Sequence, residues 1–148
     1  MIKYLLGGAL HLHDFAIIPV DFIVRNVSYN DMLYMCSDDP SRNGATRFGW
    51  FSRGEIDGTC SWISVNQART QWGSKIVTKL ITESLQFTEK DAFQPNGKNI
   101  NLIWKQFEGK IMALSDIVNY VPAFEACMYQ GFETFRKDNV QYLEVELN

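Results

Sequence analysis

Two histidines and an aspartate near the start of the chain are the residues best suited to metal chemistry. His11 and His13 are the only histidines in the sequence, and they flank Leu12 directly before Asp14. In an extended strand, side chains two residues apart share a face, and their Cα atoms lie about 6.5–7 Å apart. Two imidazoles so placed could bind one zinc ion. The competing interpretation is a half-buried strand with two polar residues facing water, and it is favoured for an isolated H-x-H motif.

The composition is that of one ordinary packed domain. The chain has 148 residues, is 46% hydrophobic and carries a formal net charge of −3 without any basic block. This charge gives no electrostatic support for nucleic-acid binding. No stretch approaches the roughly 20 apolar residues that a membrane-spanning helix needs. A short apolar run from Met1 leads directly into the histidines, with no cleavage site between them. We therefore interpret the run as a strand, and no signal peptide is visible in this sequence.

Hydrophobic periodicity predicts the elements that must position the histidines. Residues 4–13 predict a buried strand, and Pro19 opens a short helix. Apolar residues at helical spacing predict three further helices, over 74–85, 101–114 with Asn101 as the N-cap, and 122–137. Residues 140–147 alternate between apolar and polar, as a strand does. A strand–helix–strand order of this kind predicts that the first and last strands pair in parallel.

The middle of the chain has a different character. Residues 29–72 are rich in Gly, Ser, Asn, Asp and Arg, and they predict short strands and turns (strands at 32–36 and 46–51, turns at 38–44 and 54–58). Cys36 and Cys60 bracket this region. A disulfide between them would close a loop of about 25 residues and stabilise the fold by about 3 kcal/mol, whereas two independent thiols fit a cytosolic protein equally well. Cys127 lies on the apolar face of the last helix and is expected to be a buried thiol.

Several stretches, taken in order, resemble the N-terminal part of the secreted-type adenosine deaminases, the adenosine deaminase-related growth factor family. They are the H-L-H-D motif at 11–14, the sequon Asn26-Val27-Ser28, the cysteine pair, I-W-K-Q-F-E at 103–108, N-Y-V-P-A-F at 119–124 and D-N-V-Q-Y-L-E at 138–144. The resemblance covers essentially the whole chain, and the order and spacing of the stretches make it specific.

This resemblance implies an α/β fold that is part of a (β/α)8 TIM barrel. Residues 1–28 would be the first barrel strand and helix, 29–90 an inserted receptor-binding segment, and 91–148 barrel helices and the second strand. A complete barrel needs about 250 residues, so 148 residues predict a partial fold.

The resemblance also implies zinc-dependent hydrolysis of adenosine, and of 2′-deoxyadenosine, to the inosine product and ammonia. His11 and His13 would be two of the zinc ligands. Four further residues would contact the substrate: Asp14, Trp104, Phe107 and Glu108. The resemblance further implies a Cys36–Cys60 disulfide, a glycosylation site at Asn26, an extracellular location and a homodimeric assembly.

The chain departs from the family's pattern in one important respect. The family's remaining zinc ligands, its proton-donating glutamate and a further histidine come from later barrel strands, and this sequence has no third histidine. We therefore expect a truncated fold that contains no complete catalytic set and is inactive alone.

Two other functions stay open. The chain could be a non-catalytic extracellular binding or growth-factor module whose 29–90 segment binds a cell-surface receptor or a glycosaminoglycan. It could also belong to another metal-dependent amidohydrolase, because H-x-H on a first barrel strand suits that chemistry in general.

Overall fold

The computed structural model describes residues 7–36, 46–52, 55–93 and 99–146, and the turn predicted at 38–44 lies outside them. The strands of these residues are β1 Gly7–His13, β2 Leu33–Cys36, β3 Arg47–Trp50, β4 Ile63–Ser64 and β5 Val140–Glu146. The α-helices are α1 Val20–Arg25, α2 Val65–Trp72, α3 Ser74–Leu85, α4 Glu89–Ala92, α5 Ile100–Val118 and α6 Val121–Lys137. Two short 3₁₀ helices lie at Asp14–Ile17 and Val27–Tyr29.

The strands form two separate sheets. β1 and β5 pair in parallel, with Gly7 opposite Val140 and His13 opposite Glu146, which confirms the predicted pairing of the first and last strands. β3, β2 and β4 form an antiparallel sheet in that order, and β2 and β3 are the short strands predicted in the middle of the chain. The chain is thus a mixed α/β fold in which the parallel pair places the C-terminal ends of β1 and β5 side by side.

The three long helices follow the predicted apolar spacing. α3 and α6 span the expected residues, whereas α5 extends beyond the expected 101–114 at both ends. The N-cap of α5 is Asn99 rather than Asn101, because the Asn99 side chain accepts the backbone N–H of Asn101. After α6, Asn139 adopts a left-handed conformation (φ 59°), which asparagine tolerates better than most residues and which turns the chain into β5.

One hydrophobic core joins the 29–90 segment, which includes α3, to helices α5 and α6. Fully buried residues of α3, α5 and α6 meet there (Val77, Ile81, Ala113, Ile117 and Cys127). Strand β3 of this segment is joined to α5 by two hydrogen bonds: the Phe48 N–H donates to Asp116 Oδ2 (3.1 Å), and Trp50 Nε1 donates to the Ile117 carbonyl (3.0 Å). The 29–90 segment therefore shares its core with the flanking helices.

The prediction that the first strand is buried is wrong. No residue of β1 is fully buried, and Leu10 is 64% exposed. Among the described residues β1 pairs with β5 alone, and Leu12 is the residue of β1 that packs against the hydrophobic core. Among the described residues, no helix combines the length and apolar character needed to cross a bilayer.

Candidate metal centre

His11 and His13 lie at the C-terminal end of β1 with their rings close together. The ring centroids are 5.3 Å apart, and the rings meet edge to face. The strand is not regular here, because the pairing register shifts between Ala9 and Leu12 and His11 has a φ of 61°. The rings therefore meet because of a bulge and a left-handed residue, and not through simple alternation along an extended strand.

Glu146 adds a third potential metal ligand that the sequence analysis missed. It is the last residue of β5 and lies opposite His13 in the parallel register. Its Oε1 lies 2.9 Å from His11 Nδ1. One ligand atom from each of His11, His13 and Glu146 can be chosen so that all lie within 4.8 Å of one another. The signal that could have found Glu146 was the predicted parallel pairing, since parallel strands end at the same edge.

This group of side chains fits a zinc ion chemically. Imidazole nitrogen and carboxylate oxygen are zinc ligands, and two histidines with one glutamate form one of the donor sets of catalytic zinc sites. All three side chains are exposed, so they are accessible to an ion from solvent.

Asp14 follows His13 directly and is buried, with 3% of its surface exposed. It begins the 3₁₀ helix Asp14–Ile17, and its Oδ1 accepts the backbone N–H of Phe15 (2.9 Å). The carboxyl group is therefore held at the end of β1, one residue beyond the histidines.

Gly131 is a second residue that the sequence analysis did not connect with the site. It lies on α6, where a Cβ atom would approach the Ile17 carbonyl oxygen to 2.7 Å. The backbone of α6 thus packs directly against the 3₁₀ helix that begins with Asp14. A glycine is required for this close approach.

The predicted substrate residues of α5 lie in a cluster of their own. Trp104 Nε1 donates to Glu108 Oε1 (2.7 Å), and the Trp104 and Phe107 rings are 5.5 Å apart. Phe107 also contacts Phe87 edge to face. Trp104 is 58% exposed, and in the described part of the chain none of this trio's hydrogen bonds or ring contacts reaches the histidines.

Cys36 and Cys60 are joined by a disulfide, with their Cα atoms 6.2 Å apart. It links the end of β2 to the segment before β4. Cys127 is the remaining cysteine, and burial raises the pKa of its thiol to about 11.

Asn26 and Ser28 of the sequon have opposite environments. Asn26 is exposed, whereas Ser28 is fully buried. Ser28 Oγ donates to the Val24 carbonyl and accepts from Arg69 Nη2 (2.6 Å). Arg69 is itself buried and lies over the Tyr29 ring, 3.9 Å from its centroid, and this burial lowers the pKa of its guanidinium.

Comparison with known proteins relates the chain to one group of enzymes. No family model matches the chain. Over 94% of its length it is 31% identical to adenosine deaminase 2-A of Danio rerio and 29% identical to adenosine deaminase 2 of Sus scrofa. It is also 29% identical to the adenosine deaminase of Lutzomyia longipalpis. The matches cover 27%, 28% and 27% of these relatives, so the chain spans about a quarter of their length. The resemblance seen in the sequence is thereby confirmed: the chain is homologous to part of the adenosine deaminase 2 proteins.

Proposed function

We propose that this chain forms part of a zinc-dependent adenosine deaminase and supplies two of its zinc ligands. The observation that carries the proposal is the placement of His11 and His13 at the C-terminal end of a parallel strand, with their rings 5.3 Å apart. Barrel enzymes keep their chemistry at this end of their strands. The relatives' names, adenosine deaminase 2-A and adenosine deaminase 2, support deamination of adenosine as the reaction. The proposal takes this as hydrolysis to inosine and ammonia and extends it to 2′-deoxyadenosine.

Each residue at this edge has a definite role in the proposal. His11 and His13 hold the metal, which when bound supplies Lewis-acid activation of water. Asp14 accepts a hydrogen bond from the substrate ribose, and its burial and its bond to the Phe15 N–H fix the position of the carboxyl group. Metal binding by the two histidines and ribose binding by Asp14 both fit a (β/α)8 barrel of which β1 and β5 are the first two strands.

The proposal assigns Trp104, Phe107 and Glu108 to the wall of the substrate pocket. Trp104 and its partner Glu108 lie on the N-terminal half of α5, beyond the part that is buried in the core. Because this half is exposed, further chain must cover it for the trio to enclose a nucleoside. We infer that these 148 residues bind metal but do not turn over adenosine alone.

The first experiment measures zinc content and inosine formation for the 148-residue protein. We expect one zinc per chain, lost in His11→Ala and His13→Ala, and no ammonia release above background. Zinc content unaffected by both substitutions would contradict the ligand assignment. Zinc-dependent turnover by the wild-type protein would contradict the inference of inactivity.

The second experiment tests the reaction itself. The matching stretch of the Danio rerio relative is replaced by this chain, and the chimera is assayed for inosine formation, with its folding followed by circular dichroism. We expect activity that His13→Ala abolishes and that Asp14→Asn reduces mainly through a higher KM for adenosine. A folded, zinc-loaded chimera without activity would refute the deaminase assignment.

We also propose an extracellular location, supported by the Cys36–Cys60 disulfide, because disulfides persist in oxidising compartments. Expression through a secretory pathway should yield a protein with this disulfide and a glycan on Asn26, both visible by mass spectrometry. A secreted protein with reduced Cys36 and Cys60 would argue against it. The receptor, glycosaminoglycan and homodimer expectations stay predictions.

A further inference from the structure

We propose that Glu146 is a third zinc ligand, so that these residues bind the metal through two histidines and a glutamate. The inference rests on the proposed function, which assigns His11 and His13 to zinc. It goes beyond that assignment because Glu146 comes from the other strand and converts a two-ligand site into a three-ligand site. Three protein ligands with an open fourth position are the usual arrangement of a catalytic zinc site.

The distances among the three side chains favour a shared ion. Tetrahedral zinc with ligands at about 2.0–2.2 Å holds neighbouring ligand atoms about 3.3–3.6 Å apart. In this structure His11 Nδ1 and Glu146 Oε1 are 2.9 Å apart, and ligand atoms of all three residues lie within 4.8 Å of one another. All three side chains are exposed, so solvent can reach the space between them.

The backbone explains why these three residues converge. The parallel register places Glu146 opposite His13. The bulge between Ala9 and Leu12, with the left-handed His11 at its centre, directs the His11 ring toward the same carboxylate. A left-handed conformation is uncommon for a non-glycine residue and is found at functional sites more often than elsewhere.

Glu146 is also the carboxylate of β5 that is available to a metal. In the described part of the chain, its carboxylate contacts His11 Nδ1. Glu144, two residues earlier on the same strand, is instead bonded to the Tyr142 hydroxyl (2.8 Å). Both glutamates are exposed, so Glu144 is a matched control for any loss of charge from this strand.

The first measurement is the affinity of the purified 148-residue protein for Zn²⁺, determined by competition with a chromophoric chelator. We expect Glu146→Gln to weaken binding at least about tenfold and Glu144→Gln to change it less than twofold. Equal affinities of Glu146→Gln and wild type would overturn the proposal, as would equal losses in both variants, which would indicate a general charge effect. Circular dichroism of each variant checks that the fold is retained.

The second measurement separates a true ligand from a residue that only orients His11 through a hydrogen bond. Glu146→Cys loaded with Co²⁺ should show thiolate-to-cobalt charge-transfer absorption in the near ultraviolet, because that band requires a sulfur–metal bond. Glu144→Cys should not show it. The wild-type protein gives a clean background, since Cys36 and Cys60 are joined and Cys127 is buried. A missing band in the Co²⁺-bound Glu146→Cys protein would overturn the ligand assignment.

A histidine variant distinguishes failure of this inference from failure of the proposed function. If His13→Ala binds Zn²⁺ as tightly as wild type, the histidine assignment on which the proposed function rests is wrong. If His13→Ala loses binding while Glu146→Gln retains it, the histidine assignment stands and the role of Glu146 alone is refuted.

Discussion

Replacing Gly131 with alanine should destabilise the protein and disturb the candidate metal centre. Gly131 is buried on α6 against the 3₁₀ helix Asp14–Ile17. A Cβ there would lie 2.7 Å from the Ile17 carbonyl oxygen and 3.1 Å from Ile17 Cγ1. The first contact is with backbone, so no rotamer change of Ile17 relieves it. Either α6 or the 3₁₀ helix must move, and the second movement carries Asp14 with it.

Two opposing terms set the size of the effect. Overpacking a well-filled site costs about 1–3 kcal/mol. Alanine in place of glycine within a helix gains about 1 kcal/mol of helix propensity. Because the contact involves backbone at 2.7 Å, we place the cost at the upper end of its range, which leaves a net loss of about 1–2 kcal/mol in the free energy of unfolding. For a chain of this size, each kcal/mol lowers the Tm by about 2–4 °C.

The assay is urea and thermal unfolding followed by circular dichroism, with zinc affinity measured on the same preparations. Glu125→Ala is the control, since Glu125 is an exposed residue of the same helix and its substitution should change stability by less than about 0.5 kcal/mol. A Gly131→Ala protein as stable as wild type or more stable would show that propensity dominates. That result would refute the close contact between α6 and the segment after His13.

Three further perturbations have definite expected outcomes. Arg69→Met should lower stability by about 1–3 kcal/mol in urea unfolding, because it leaves the buried Ser28 carbonyl without its 2.6 Å donor; an unchanged midpoint would contradict this. Reducing the Cys36–Cys60 disulfide should cost about 2–4 kcal/mol, and a Cys60→Ser variant should be insensitive to reductant. In the native protein at pH 8, Cys127 should react slowly with a thiol reagent. In denaturant, the same reagent should titrate one thiol per chain. Burial raises its pKa from 9.0 to about 11, so its contribution to stability is present below pH 9 and should be lost as the pH rises through about 11. Rapid reaction of the Cys127 thiol in the native protein would contradict its burial.

The long helices could be predicted because their signals are local, and the parallel strand pair could be predicted from the strand–helix–strand order. Apolar residues at helical spacing mark α3, α5 and α6 directly in the sequence. α2 was missed, since its buried face includes Arg69, and a buried arginine has no signature in a hydrophobic pattern. Its cap, Ser64 accepting the Gln67 N–H, was the available local signal. The exposure of β1 depends on which elements cover its sheet, and periodicity does not report that.

In the candidate site, too, some features have a local sequence signal and others depend on how distant parts of the chain pair. The H-x-H spacing was enough to identify His11 and His13 as candidate ligands. Their rings meet because of a bulge and a left-handed His11, and the alternation of side chains along a strand predicts neither feature. Glu146 is separated from them by most of the chain, and only the parallel register brings it within 2.9 Å of His11. A register shifted by one residue would turn its side chain to the other face of the sheet. The proposed third ligand is therefore a property of strand pairing, and a substitution that shifts that register should weaken zinc binding about as much as Glu146→Gln does, although all three side chains remain present.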